Sequence, residues 1–147
     1  MKPFDTILFA VDFSESSEHA FTYAYELAQK FSSRLVIIHV INEPVDLRGF
    51  YVPHVSFDNL EKEITEGAEK MMDRFCAEKL QGFANVEKSV VSGIPYEEIV
   101  GKAEAVNADL IIMGTHGRKG LDHMLFGSTA ERVVRAARCP VMTVRLP

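Results

Sequence analysis

Residues 34–41 contain the run Leu35-Val36-Ile37-Ile38-His39-Val40-Ile41, in which histidine is the only residue that is not aliphatic. Most of its members are β-branched, and no regular alternation with polar residues interrupts it. Runs of this kind are typical of strands that are buried on both faces, as in a parallel sheet. The run therefore predicts a central strand of an α/β fold.

Similar signals lie on either side of this run. Residues 4–12 and 109–113 contain short apolar runs, whereas residues 86–92 and 140–145 are less apolar and predict strands nearer an edge. Helical patterns separate the strands, which implies right-handed crossovers. We expect an open five-stranded parallel sheet with helices on both faces, a Rossmann-like arrangement.

Four helices are predicted between the strands. Ser14 can cap the first, and Pro95 can occupy the first position of the third. Apolar residues at helical spacing predict the buried faces. These are Ala20, Tyr23, Ala24, Leu27, Ala28 and Phe31; Leu60, Ile64, Ala68, Met71 and Phe75; Ile99, Val100 and Ala103; and Ala130, Val133, Val134 and Ala137.

Composition limits the classes of partner. The 147 residues predict one domain over residues 1–147, and the net charge of −5 argues against nucleic acid or an anionic membrane as the main partner. No apolar run approaches the ~20 residues that span a bilayer, and the N-terminus lacks a signal-peptide pattern. Cys76 and Cys139 form no metal or redox motif. We expect a cytoplasmic protein.

Ligands of such sheets bind beyond the carboxyl ends of the strands, where the strand order reverses. Asp12 follows the first strand and can accept hydrogen bonds from hydroxyl or amino groups or help to hold Mg²⁺. The candidate site residues at these strand ends are Ala10, Val11, Asp12, Ser14, His39, Val40, Met113 and Gly114.

The segment Gly114-Thr115-His116-Gly117-Arg118-Lys119-Gly120 follows the fourth strand, and Gly127-Ser128-Thr129 begins the fourth helix. Glycines allow backbone N–H groups to approach an anion, and a helix N-terminus favours negative charge. We expect Gly127, Ser128 and Thr129 to place free N–H groups and two hydroxyls at this N-terminus. The first helix is less suitable because its first turns carry Glu15 and Glu18. We therefore expect the base and ribose near the first strand and the phosphates near the fourth helix. The candidate phosphate-binding residues are His116, Gly117, Arg118, Gly127, Ser128 and Thr129. His116 could touch a phosphate or act as a weak acid-base group, but its place in the loop favours a solvent-facing position.

The spacing Gly114-x2-Gly117-x9-Gly127-Ser128 resembles the ATP-binding branch of the universal stress protein family. The segments Val11-Asp12-Phe13-Ser14 and Arg138-Cys139-Pro140-Val141 extend the resemblance to both ends of the chain. The family implies a sheet of the adenine nucleotide alpha hydrolase-like kind, a homodimer, and ATP as the ligand.

The resemblance also implies roles for single residues. The backbone of Val40 would meet adenine, Asp12 would meet the ribose or base, and Gly114 would lie beside the ribose. The phosphates would be held by Gly117, Gly127 and Ser128. The expected cofactors are ATP and Mg²⁺, with no protein-bound metal centre and no catalytic residue assigned.

Other classes of site fit less well. The chain has no G-x-x-x-x-G-K-[ST], and its late glycines do not form G-x-G-x-x-G, so neither a P-loop nor a dinucleotide site is predicted. An ATP-binding regulatory protein, in which nucleotide biases conformation or partner choice, is the favoured function. A slow ATPase or phosphotransfer enzyme of the same fold is the alternative, and a structural dimer with an empty pocket is the third.

Two segments bear on assembly. The C-terminal strand would lie at a sheet edge, and its apolar residues predict a homodimer formed through it. Residues 42–58 form the longest segment without a periodic pattern. The sequence leaves open whether they cover a nucleotide, contact a subunit or form a mobile loop.

Overall fold

The computed structural model describes residues 4–42, 57–116 and 127–147. The strands are β1 (Thr6–Ala10), β2 (Arg34–Asn42), β3 (Val86–Gly93), β4 (Leu110–Gly114) and β5 (Val141–Val144). The helices in the described ranges are α1 (Glu15–Phe31), α2 (Phe57–Lys79), α3 (Pro95–Ala105) and α4 (Ser128–Ala136). The predicted loop over residues 42–58 lies mostly outside the described residues, since its positions 43–56 are not among them.

The five strands form one open sheet in the order β3-β2-β1-β4-β5, and every pairing is parallel. This confirms the predicted fold, with β1 in the centre and the weaker strands β3 and β5 at the edges. The chain runs from β1 outward through β2 to β3 and then returns to β4 on the other side of β1. The strand order therefore reverses between β1 and β4, and their carboxyl ends mark the expected ligand edge.

The sheet has a hydrophobic core on each face. Phe9 of β1 faces α1 and α2, where its ring contacts Phe21 at 5.3 Å and Phe75 at 6.5 Å between centroids. Leu8 faces the opposite side and packs with Ile99 of α3 and with residues of α4. Alternate residues of β1 thus serve different cores, which is why the central strands are apolar at every position.

Three predicted core positions are wrong. Tyr23, Met71 and Val134 are exposed by 45%, 41% and 48%, whereas Phe21 and Met72 are buried. Helical periodicity locates an apolar stripe only approximately, because adjacent residues such as Met71 and Met72 lie about 100° apart around the axis and either could border the stripe. The packing partners decide which one is buried, and Met72 joins the core that contains Phe21 and Phe75.

The two outer strands of the sheet, β3 and β5, differ in charge. On β3, Glu87 pairs with Arg34 at 2.5 Å and with Lys102 at 2.8 Å, while Lys88 pairs with Asp73 at 2.9 Å. These ion pairs connect the β3 edge to both flanking helices. The β5 edge is Val-Met-Thr-Val and carries no charge. None of the helices in the described part of the chain is long and apolar enough to cross a membrane.

Candidate functional site

The ends of the central strands bring part of the predicted site together. Phe9 pairs with Ile112, so Ala10 and Met113 follow at neighbouring positions of adjacent strands. The β1–β2 ladder ends at the pair of Ala10 with Ile38, but β2 continues to Asn42 beside β3. Val40 therefore lies two residues beyond the last partner of β1, at the point where the chain leaves β1 towards α1.

Asp12 and Ser14 form a closed hydrogen-bonded turn with Ser17. The N–H of Asp12 donates to Ser17 Oγ at 3.1 Å, and the N–H of Ser17 donates to Ser14 Oγ at 3.1 Å. Ser14 then donates to Asp12 Oδ1 through its hydroxyl at 2.5 Å and its N–H at 3.0 Å. The predicted Ser14 cap is confirmed. The chain's own carboxylate thus lies at the N-terminus of α1, where a helix favours an anion.

Phe13, between these two residues, was not predicted as part of the site. It has a φ of 64°, a region that bulky residues rarely adopt. Its ring lies 4.7 Å from that of His39 and 6.0 Å from that of Phe75. The sequence gives no signal for this conformation, since a Phe between Asp and Ser in a turn is equally compatible with ordinary backbone angles.

His39 is buried, with 8% of its surface exposed. Its Nδ1 lies 2.8 Å from the carbonyl oxygen of Val11. Because a carbonyl can only accept, Nδ1 carries the hydrogen of this bond. Through this bond and the ring contact with Phe13, the imidazole of His39 touches the turn that holds Asp12. The neighbouring Val40 directs its side chain to the other face, where it packs with the core next to α3 and α4.

Gly114 has a packing role that the sequence did not reveal. A Cβ atom at this position would lie 2.5 Å from Ser16 Oγ and 3.1 Å from the Ser16 carbonyl carbon and oxygen. The first turn of α1 therefore requires glycine at the end of β4. This close approach links the two strand ends, because α1 begins just after Asp12 and packs directly on Gly114.

Thr115 connects three elements beyond β4. Its N–H donates to Val144 O at 3.2 Å, and its carbonyl accepts from the N–H of Gly127 at 2.5 Å. Its Oγ1 lies 2.9 Å from Nδ1 of His116. Thr115 is 2% exposed. It thereby joins the edge strand β5, the end of β4 and the start of α4, a role that sequence analysis missed.

The predicted phosphate-binding residues divide into two groups. Gly117 and Arg118 lie outside the described residues. Ser128 and Thr129 form the first turn of α4, and Gly127 is its N-cap with φ −72° and ψ 162°. The prediction that Gly127 offers a free N–H is wrong, because Thr115 accepts that hydrogen.

The first turn of α4 nevertheless retains the character of an anion site. The first N–H groups of any helix lack an acceptor within the helix, and Ser128 and Thr129 occupy these positions. This turn contains a single acidic residue, Glu131 at the fourth position of the helix, which pairs with Arg135 at 3.0 Å. By contrast, α1 carries Glu15 and Glu18 in its first turn, and α3 carries Glu97 and Glu98.

An open parallel sheet whose strand order reverses between β1 and β4, with the candidate site at the carboxyl ends of these strands, defines a doubly wound α/β protein. The sequence model of the Universal stress protein family matches residues 3–145, and the chain belongs to this family. Universal stress protein MJ0577 of Methanocaldococcus jannaschii is 30% identical over 151 residues, covering 95% of this chain and 93% of that protein. A universal stress protein of Thermus aquaticus is 34% identical over 142 residues, covering 97% and 99%.

Solved structures agree with the fold. MJ0577 matches with a TM-score of 0.83 at 31% identity, covering 98% of this chain and 97% of that one. UspA of Lactobacillus plantarum matches with a TM-score of 0.80 at 27% identity, covering 97% and 99%. Two more distant matches share the fold alone. They are a universal stress protein in complex with cAMP and one from Archaeoglobus fulgidus in complex with dAMP, at 24% and 18% identity and TM-scores of 0.64, each covering 97% of this chain and 98% of that one.

Proposed function

We propose that this protein binds ATP with Mg²⁺ at the β1–β4 edge and acts as a cytoplasmic regulatory module. One observation carries the proposal: the hydrogen bond between Gly127 and Thr115 places the N-terminus of α4 at the carboxyl end of β4. The same edge holds Asp12 at the end of β1. A carboxylate that accepts from hydroxyl or amino groups and a helix N-terminus that attracts anions suit the two ends of a nucleotide.

The nucleotide would lie across this edge with its nucleoside at β1 and β2. Asp12 would accept a hydrogen bond from ribose or base, and the backbone of Val40 would contact adenine. The nucleoside end comprises Ala10, Val11, Asp12, Ser14, His39, Val40, Met113 and Gly114. The phosphate end comprises His116, Gly117, Arg118, Gly127, Ser128 and Thr129.

Two relatives by fold support an adenine nucleotide as the ligand class. They were solved with cAMP and with dAMP, which share an adenine base and a single phosphate. ATP extends that chemistry by two phosphates. In our proposal these reach the first turn of α4, whose first three residues, Ser128, Thr129 and Ala130, carry no carboxylate.

Mg²⁺ would be held mainly by the phosphates. Within residues 4–42, 57–116 and 127–147, no group of three or more His, Cys, Asp and Glu side chains could hold a metal ion. Mg²⁺ in nucleotide sites commonly keeps several waters and binds substrate phosphates. In this proposal the phosphates at the first turn of α4 and water supply the ligands of the ion, and Asp12 remains a contact of the nucleoside end.

Binding, rather than turnover, is the proposed activity. Oδ1 of Asp12 already accepts two hydrogen bonds from Ser14, so this oxygen stabilises the turn instead of activating water. Any hydrolysis should be far below the ~1–100 s⁻¹ of kinases. Phosphate release at such rates would favour the alternative of an ATPase or phosphotransfer enzyme.

We also propose a homodimer through β5. An uncharged edge strand with unpaired backbone groups favours pairing with another strand, and a two-fold axis makes such a contact closed. The opposite edge is less suitable because Glu87 and Lys88 of β3 are held by ion pairs to flanking elements. Thr115 hydrogen-bonds both to β5 and to the start of α4, so the proposed dimer strand is linked directly to the proposed phosphate end of the site.

Native mass spectrometry of the purified protein tests the ligand. We expect an adenine nucleotide to co-purify with the wild-type chain. The number of nucleotides bound per chain should fall sharply in Gly127→Val. Release of the ligand by denaturation and its identification by chromatography establish the base and the phosphate number. Wild-type protein that is fully folded, carries no nucleotide and gains none at millimolar ATP would contradict the proposal.

A further inference from the structure

Phe13 stands out because its backbone conformation is unfavourable for its side chain. Its φ is 64°, in the left-handed region that glycine adopts without steric cost. Conformations of this kind persist where the surrounding structure over-determines them, and they are enriched at ligand sites. Phe13 follows Asp12 directly, so whatever holds Phe13 in place also sets the direction of the chain at Asp12.

Two aromatic contacts hold the Phe13 ring. Its centroid lies 4.7 Å from the imidazole of His39, at an interplanar angle of 48°, and 6.0 Å from the ring of Phe75. Both partners are buried, His39 at 8% and Phe75 at 5% exposure. The ring of Phe13 is thereby fixed between β2 and α2.

His39 holds the turn on both sides of Asp12. Its Nδ1–H donates to the carbonyl of Val11 at 2.8 Å, before Asp12, and its ring contacts Phe13, after Asp12. Among the described contacts, Asp12 is also restrained by Ser14, the N-cap of α1, and by Ser17 of its first turn. One imidazole from β2 thus contacts the backbone carbonyl that precedes Asp12 and the side chain that follows it.

We propose that His39 and Phe13 are positioning residues for the nucleoside end of the site: they aim the Asp12 carboxylate and do not themselves contact the nucleotide. This inference rests on the proposed function, and it changes the role of His39 from ligand contact to support. Side chains that lock the geometry of a binding group contribute to affinity without touching the ligand. Their effect must therefore pass through Asp12.

If the effect passes through Asp12, substitutions of His39 should weaken adenosine binding but not phosphate binding. A general loss of stability would weaken both. Affinity for adenosine and for inorganic tripolyphosphate is measured by calorimetry in His39→Leu and in His39→Asn, whose amide can still donate near the Nδ1 position. We expect His39→Leu to lower the affinity for adenosine by about 5- to 10-fold, the equivalent of one hydrogen bond. His39→Asn should recover most of this loss, and tripolyphosphate affinity should stay within about twofold in both.

A double-mutant cycle with Asp12→Ala decides between positioning and direct contact. If His39 acts through Asp12, adding His39→Leu to Asp12→Ala should change adenosine affinity by less than about twofold. An equal further loss in that background would show that His39 contacts the nucleoside directly and would overturn the inference. Full adenosine affinity in folded His39→Leu would overturn it as well.

Phe13→Gly is the second variant, in case His39→Leu does not fold. Glycine accepts the positive φ, so the turn can form, but the ring that fixes it against His39 is gone. We expect the same selective loss of adenosine affinity. Unchanged adenosine affinity in Phe13→Gly contradicts the inference while leaving the proposed function intact, whereas a wild-type protein that binds neither adenosine nor ATP contradicts both.

Discussion

The N–H of Gly127 donates to the carbonyl oxygen of Thr115 at 2.5 Å. This bond joins the end of a central strand to the start of a helix. The N–H of Thr115 also donates to the carbonyl of Val144, so the same residue reaches the edge strand β5. One buried residue that sequence analysis did not single out therefore connects the proposed nucleotide site with the strand of the proposed dimer.

Gly127→Val should abolish ATP binding without unfolding the protein. The φ of −72° and ψ of 162° at Gly127 suit any residue, so valine causes no backbone strain. Its branched side chain would instead block phosphate from the first turn of α4. Thermal shift with millimolar ATP measures the loss. The matched control is Gly101→Val in α3, where a new Cβ would meet nothing within 4 Å; a control that also loses the shift would contradict the assignment.

Asp12→Ala should weaken the binding of adenosine and of ATP by similar factors, because the proposed contact is at the nucleoside end. It should also lower the free energy of unfolding by about 1 kcal/mol, since the carboxylate accepts two hydrogen bonds from Ser14. Asp12→Asn keeps an acceptor for Ser14 and separates the two effects. Calorimetry checks the affinity, and adenosine binding that is unchanged in Asp12→Ala would show that Asp12 lies elsewhere in the complex.

Thr143→Lys should convert the proposed dimer to a monomer. Thr143 lies in β5, and lysine on an edge strand discourages pairing, more so when a two-fold axis brings two copies together. Val144 is unsuitable for this test because it is only 8% exposed and lysine there would disrupt the core. Analytical ultracentrifugation at tens of micromolar measures the mass. Val134→Lys, at an exposed position of α4, is the control; a dimer that survives Thr143→Lys, or a monomeric wild type, removes this interface.

Glu87 should contribute stability only above acidic pH. Hydrogen bonding and ion pairing with Lys102, aided by the charge of Arg34, lower the pKa of the Glu87 carboxyl from its ordinary 4.5. A lowered folded-state pKa stabilises the protein above the unfolded-state value, and the contribution disappears as pH falls through the folded-state value. Glu87→Gln should therefore cost less than about 1 kcal/mol at pH 7, because the pair is partly exposed, and nothing once both states are protonated.

Urea unfolding of Glu87→Gln across pH 3–7 measures this contribution. The control is Glu66→Gln, whose carboxylate lies 4.0 Å from Lys62 in an exposed pair within α2. We expect the free energy of unfolding of the control to match that of the wild type at every pH. A cost in Glu87→Gln that is the same at low and neutral pH would show that the carboxylate acts through packing and not through its charge.

The sequence predicted the architecture because each strand and helix carries its own local pattern. The apolar run of β2, the Ser14 cap and Pro95 at the start of α3 are local signals, and all three are confirmed. The candidate strand-end residues also meet at one edge, because parallel strands direct their carboxyl ends to the same side. Residue roles at those positions remain a prediction until binding is measured.

What the sequence could not predict are contacts between distant segments. The requirement for Gly114 comes from Ser16 of α1, and the N–H of Gly127 is used by Thr115. The strained backbone of Phe13 depends on the ring of His39, which lies 26 positions along the chain. These relationships arise from packing after the chain has folded, and no spacing rule encodes them.

Equilibrium binding of Mg-ATP to the purified wild-type protein tests the central claim most directly. We expect saturable binding of one ATP per chain, with weaker binding of GTP because the base is recognised by backbone groups near Val40. ATP at a hundredfold excess over its dissociation constant should add about 2.7 kcal/mol of stability and raise the melting temperature by about 5–10 °C. A folded protein that shows neither binding nor a thermal shift with any adenine nucleotide at millimolar concentration would contradict the account.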